Sequence, residues 1–228
     1  MKKQEKTQNT WILVTLCLIV LFGLLRLFGI LDMYSIPTGA NTPTIRPGSI
    51  IFATNLIKPQ RNNFICFKAN HFFTGVREQY VSRLVATAGD SVEIKDGVLF
   101  INGNNADAGL PLYHTWLVPD NEVYKLSDKE PDVEIISRPD SETALLAFTE
   151  QYRNTHHIPA QRDIYPVAQT DTFIKAYWHQ NWNADHFGPV TVPTGCLFVL
   201  GDYRHNSLDS RYRGFVSVAD YVSTVLWK

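Results

Sequence analysis

Residues 36–45 read IPTGANTPTI and are followed by Arg46-Pro47-Gly48. Proline fixes φ and glycine allows a tight path, so Pro37, Pro43, Pro47 and Gly39 describe a loop that holds its side chains and amides nearly still. A loop of that kind is suited to presenting one reactive side chain. Yet the residue at its centre is Ala40, which offers no reactive group. Hydroxyls stand close by at Ser35, Thr38 and Thr42, but a hydroxyl needs a base held against it. Lys68, Lys95 and seven histidines are available, and no spacing assigns one of them. A second group of reactive types is Asp202, Arg204, Asp209 and Arg211. Charges alternating this densely form paired turns that brace a loop. His156-His157 has no third ligand at metal spacing and reads as a surface loop, so no metal and no cofactor is expected. No isolated pair of carboxylates suggests glycosidase chemistry.

The elements that must position these residues begin with an apolar run. After Lys2, Lys3 and Lys6, residues 11–31 (WILVTLCLIVLFGLLRLFGIL) are interrupted by a charge only at Arg26. About 20 helical residues cross a hydrocarbon core of about 30 Å, and the long arginine stem reaches the interface from near the end of the run. The run exceeds a signal-peptide core of about 7–15 residues and no small-x-small site follows closely, so it reads as a retained anchor. The preceding lysines predict a cytoplasmic N-terminus (1–10), with the main domain periplasmic or extracellular. With 228 residues, 45% hydrophobic and 12% aromatic, the remainder can bury one core. A net charge of −1 gives no field for nucleic acid, which is not an expected partner.

Beyond the anchor the pattern is mainly of period two. Residues 49–55, 63–69, 80–87, 190–202 and 221–228 read as strands, and 91–103 reads as a hairpin turned at Asp96-Gly97. Residues 104–186 differ, being polar with interspersed aromatics (Trp116, Tyr124, Tyr152, Tyr165, Tyr177, Trp178, Trp182). Within them a helix is predicted over 140–154, capped by Asp140 or Ser141 and lined by Leu145, Phe148 and Tyr152. The aromatic stretch 177–187 reads as packing within that lobe rather than as a membrane or peptide contact. The fold class expected is mainly β: an antiparallel core from 32–103 and 187–228, an inserted α+β lobe at 104–186, and one transmembrane helix. Cys17 lies in the span, and Cys66 and Cys196 read as buried strand thiols in preference to a disulfide.

Three stretches, IPTGANTPTI-RPG (36–48), YVSRLVATAGD-SVEI (80–94), and GPVTVP with GDYRHNSLDSR and GFV (188–216), resemble the type I signal peptidase family in order and spacing. They cover about a quarter of the chain, and residues 104–186 match nothing in that family at residue level. The resemblance implies an N-terminal membrane anchor and an external β domain. It also implies peptide hydrolysis by a serine whose proton is taken by a lysine kept neutral through desolvation.

Carried over by position, the family's nucleophile falls on Ala40 and its base on Ser82. The residue after the nucleophile is Asn41 in place of methionine, and Ala88 replaces the proline of the second motif. Thr38 falls where a hydroxyl assists the oxyanion and Ser207 where a serine orients the lysine. Asp209 and Arg211 match a bracing pair, with Asp202 and Arg204 as further supports. Losing both members of a catalytic pair costs little more than losing one, on the order of 10⁴–10⁶ in rate, so a joint loss is unsurprising. A designed knockout would change Ala40 alone, and positions 41, 82 and 88 favour divergence. The resemblance thus implies an inactive family member that binds extended polypeptide or a signal-peptide region, or that works beside an active signal peptidase. The alternative is an active endopeptidase with relocated residues. It requires a hydroxyl within about 3.2 Å of a buried lysine or histidine.

Overall fold

The computed structural model describes residues 2–123, 126 and 133–227; Tyr124 lies outside them. A single helix, α1 (Lys2–Leu27), opens the chain. Its segment Thr10–Leu27 has a mean hydropathy of 2.3, long and apolar enough to cross a membrane. The helix ends before residue 31, where the predicted span ends, because Gly29 takes φ +64 and turns the backbone out of the helical path. It also begins within 1–10, so the predicted cytoplasmic segment is continuous with it.

The chain continues through β1 (Asp32–Ser35), the proline loop, β2 (Ile50–Thr54), β3 (Phe64–Asn70) and β4 (Arg77–Thr87). The hairpin β5 (Ser91–Lys95) and β6 (Val98–Ile101) follows as expected, with Asp96 at φ 49 and Gly97 at φ 69, the two positive values a type I′ turn requires. After β7 (Asn104–Asn105) come β8 (Tyr113–Pro119), α2 (Asp120–Val123), β9 (Glu134–Ser137), β10 (Thr143–Thr149), α3 (Glu150–Thr155), β11 (Gln161–Arg162) and α4 (Thr172–Trp178). The chain closes with β12 (Phe187–Thr191), β13 (Cys196–Leu200), α5 (Ser210–Arg213), β14 (Val216–Ser217) and β15 (Tyr221–Trp227).

These strands form three antiparallel sheets, so the protein is mainly β with few helices. The largest has the order β1-β2-β15-β3-β4-β13-β14, a second is β12-β5-β6-β7, and a third, β11-β8-β10-β9, lies within residues 113–162. The third sheet has its own core of Trp116, Val118, Ala144, Leu146 and Phe148. The Trp116 and Phe148 rings stack with centroids 5.5 Å apart, and Trp116 Nε1 donates to Phe148 O at 3.0 Å. The aromatic segment after it turns back. Ile174, Trp178 and Trp182 pack against Val85, Leu99, Phe187 and Phe198 of the first two sheets.

The helix predicted over 140–154 is corrected. Residues 143–149 form β10, and only 150–155 are helical. Asp140 Oδ1 accepts from the amides of Glu142 (2.8 Å) and Thr143 (2.7 Å), a tight turn into a strand instead of a helix cap. Ala144, Leu146 and Phe148 are then buried at period two, and β8 and β9 flank the strand on both sides. Those cross-strand partners override the helix propensity of Ala-Leu-Leu-Ala. The N-cap is Thr149, whose hydroxyl accepts from Tyr152 N. Cys66 and Cys196 are unpaired thiols.

Candidate functional site

The proline loop is pinned at both ends. Ile36 and Ile45 sit in the core with Ile51, Ala53 and Phe64. Ile36 N donates to Ser49 O at 3.0 Å and Gly48 N to Ile36 O at 2.7 Å, closing the loop's base. Inside it, Thr42 N to Gly39 O (2.9 Å) and Ile45 N to Asn41 O (2.8 Å) wind one compact turn with Ala40 at its start. The Thr42–Pro43 and Gly188–Pro189 peptide bonds are cis.

The other two stretches close on this turn. Tyr203 N donates to Ala40 O at 3.0 Å. Asn41, only 3% exposed, donates from Nδ2 to Val81 O at 2.7 Å, which fixes the turn beside the residue preceding Ser82. Ser82 itself is buried on β4 opposite Ile65. Gly201 shows how close the third stretch lies. A Cβ there would stand 2.3 Å from Ser207 Oγ and 2.4 Å from Ala40 O, so glycine is required by approach rather than by φ. The structure therefore brings Ala40, the Val81-Ser82 step and Ser207 into one neighbourhood around Gly201. Thr38 is exposed.

Buried ion pairs hold this arrangement. Arg83, next to Ser82, donates from Nε to Asp202 Oδ1 (2.6 Å) and from Nη2 to Oδ2 (2.5 Å), and Thr44 Oγ1 donates to the same carboxylate. Asp202 thus ties all three stretches. Asp209 and Arg211 form a second pair through two 2.9 Å bonds, and Asp209 Oδ2 also accepts from Gly201 N. Burial alone would lower the Arg211 pKa, but the Asp209 carboxylate more than offsets it and raises the value. Arg204 reaches out of the segment to Asp107, with Nη1 to Oδ2 at 2.8 Å. Of the four alternating charges, only Asp209 and Arg211 pair with each other. The partners Arg83 and Asp107 were missed from the sequence, although a lone arginine in the apolar run YVSRLVAT signals a need for a buried carboxylate.

Among the described residues no lysine comes to the site. Lys68 is exposed on β3, and Lys95 is exposed and paired with Glu93 at 2.8 Å. One hydroxyl does meet an imidazole. Thr115 Oγ1 is hydrogen-bonded to His205 Nδ1, and His205 Nε2 lies 2.9 Å from Asp185 Oδ1. Accepting from His205 lets Asp185 keep its pKa lowered although burial opposes this. Thr115 is 3% and Asp185 2% exposed, so this chain of three ties β8 to the 201–211 segment within the packed interior. Among the described residues no group of His, Cys, Asp and Glu is arranged for a metal.

A mainly antiparallel β protein, with one apolar N-terminal helix and a proline-framed loop braced by buried arginine–carboxylate pairs, is the class these features define. The family profile described as "Signal peptidase, peptidase S26" matches residues 8–227. Signal peptidase I of Aquifex aeolicus (strain VF5) is 30% identical over 90% of this chain and 77% of that protein. Signal peptidase I of Bacillus caldolyticus is 27% identical over 80% and 70%. A crystal structure of a signal peptidase I from Enterococcus faecalis V583 is 25% identical, covering 75% of this chain and 98% of that one, with a TM-score of 0.35. The chain belongs to the signal peptidase family, peptidase S26.

Proposed function

We propose that this family member has lost catalysis and binds extended secreted or membrane-emerging polypeptide, either alone or beside an active signal peptidase. The observation that carries the reading is the double substitution. Ala40 in the loop and Ser82 on β4 stand at the positions where the resemblance places nucleophile and base, and the residues that support them remain packed. In this reading Thr38, Ser207, Asp209, Arg211, Asp202 and Arg204 persist as scaffold. The chain is anchored by its apolar helix with the N-terminus cytoplasmic and the β domain outside, and residues 104–186 form an inserted lobe.

The edge of β4 supports the binding role. β13 pairs with residues 83–87 only, while β3 pairs with the whole of Arg77–Arg83. On the side away from β3, the main chain of residues 77–82 meets one partner among the described residues, the Asn41 amide on Val81 O. An extended peptide adds to such an edge through its main chain, beside the proline loop.

The active alternative rests on Thr115, His205 and Asp185, a hydroxyl, imidazole and carboxylate in line. Its burial favours a structural tie. A preprotein mixed with the purified full chain in micelles decides between them. The inactive reading expects no processing. Processing abolished by Thr115→Val or His205→Gln in a folded protein would establish the alternative.

A further inference from the structure

A cavity of about 310 Å³ opens away from the proline loop, between the β5–β6 hairpin, the 107–112 loop and the start of α3. Val98, Leu110 and Leu112 give it an apolar wall, while Arg162 and His114 supply its polar one. Arg162 Nη2 donates to Gly97 O at 3.3 Å and to His114 Nδ1 at 2.8 Å. Because arginine cannot accept, His114 Nδ1 is the acceptor and Nε2 carries the proton. Burial, with the nearby Arg162 and Arg204 charges, holds the His114 pKa down at about 2, so the ring stays neutral and keeps that N–H.

The donors then outnumber their acceptors. Among the described residues Arg162 forms no ion pair, and its Nε and Nη1 hydrogens, like His114 Nε2–H, meet no protein acceptor. The nearby acids are bonded elsewhere or exposed: Asp185, the carboxylate whose charge acts most on Arg162, accepts from His205 Nε2 and Tyr165 N. Asp107 is held by two bonds from Arg204, and Glu150 stands on the exposed first turn of α3. A guanidinium edge with two parallel N–H groups matches the two oxygens of a carboxylate.

We propose that this cavity binds a carboxylate, with the Arg162 edge and His114 Nε2–H as donors and the Val98–Leu112 wall holding an adjoining aliphatic group. At 310 Å³ it lies near the low end of ligand pockets, about 300–1,000 Å³, which fits one or two residues of a peptide. The carboxylate is either a free chain terminus or an acidic side chain. The site is independent of whether the proline loop is catalytic.

Calorimetric titration of the full chain in micelles tests this with N-acetyl-Leu-Ala, its C-terminal amide, and N-acetyl-Asp-amide. Saturable binding of the dipeptide acid, about tenfold or more weaker for its amide, is expected on the scale of one charge-assisted hydrogen bond. Binding of the aspartyl probe instead assigns the source to a side chain and equally supports the site. Arg162→Gln weakens the interaction by about tenfold or more. Because that variant also loses bonds to Gly97 and His114, Ala108→Glu at the exposed mouth serves as a second variant and produces the same loss. Equal binding of acid and amide overturns the proposal, as does binding unchanged in both variants. Absence of saturable binding of either carboxylate by the folded wild-type chain also overturns it.

Discussion

Replacing Ala40 with serine and Ser82 with lysine together tests whether the braced loop still holds catalytic geometry. A lysine in the place of Ser82 enters a buried position on β4 whose neighbouring charge, Arg83, is already matched by Asp202. With no carboxylate left to compensate it, burial moves a lysine from about 10.4 into the range of about 5–7. At pH 8 such an amine is neutral and can accept the proton of the serine hydroxyl introduced by Ala40→Ser. The larger side chain strains the packing by about 1–3 kcal/mol, which a domain stable by about 5–15 kcal/mol survives. On the proposed reading, supplying a reactive pair is worth on the order of 10⁴–10⁶ in rate, so product goes from undetectable to measurable. The assay is processing of a preprotein by the purified chain in micelles, with rates taken from pH 5 to 9. The double variant is expected to cleave along a rising limb set by the amine, and each single variant to remain inert. Two results would refute the reasoning. The unmodified chain could cleave as fast as the double variant, or the double variant could unfold normally in urea and still yield no product at any pH.

Asp202→Asn leaves Arg83 charged and buried, and is expected to cost about 3–5 kcal/mol in urea unfolding, whereas Arg61→Gln, whose salt bridge to Asp90 is largely exposed, costs about 0–1 kcal/mol. Gly201→Ala drives a methyl to 2.3 Å from Ser207 Oγ and 2.4 Å from Ala40 O, and is expected to cost about 1–3 kcal/mol or more and to abolish any cleavage regained by the double variant. His114 is neutral in the fold down to about pH 2 but titrates near 6.5 when unfolded, so its stabilisation is complete above about 6.5. It is lost on acidification at up to about 1.4 kcal/mol per pH unit. Asp185 has a lowered pKa and adds a loss only below its unfolded value of about 3.9. His114→Gln should therefore flatten the stability profile between pH 6 and 4, and an unchanged slope there would disprove the assignment.

What could be read from the sequence was whatever local chemistry decides. Asp96-Gly97 makes a hairpin turn because both residues accept positive φ, and the strands around it alternate visibly. The proline loop announced itself by residue type alone. The helix over 140–154 failed because Thr143–Thr149 carries both periods, and only β8 and β9 decide for the strand. The ion pairs divide the same way. Asp209 and Arg211 are two residues apart, but Arg83 and Asp202 are separated by 119 positions and Asp107 and Arg204 by 97. Nothing in spacing selects those partners. Thr115 and His205 are 90 residues apart and meet only because β8 runs beside Tyr203.

The persistence of the supports around Ala40 has a cause that does not depend on any reaction. Arg83, Asp202, Asp209 and Arg211 are all nearly excluded from solvent, and removing one partner strands the other at about 3–5 kcal/mol. On the proposed reading, alanine in the nucleophile's place strands nothing, because Ala40 is held through its carbonyl by Tyr203 N. Ser82 likewise leaves no charge behind, and its neighbour Val81 is engaged through its own carbonyl by Asn41. On the proposed reading, positions 40 and 82 are ones where a reactive side chain can be lost without stranding a buried partner, while the bracing positions are not. Buried pairs of this kind are kept for folding whether or not the chain cleaves, so their presence alone does not argue for a retained ligand. The open edge of β4 beside the loop is the feature that folding does not require, and peptide binding there is what separates a working groove from an inherited frame.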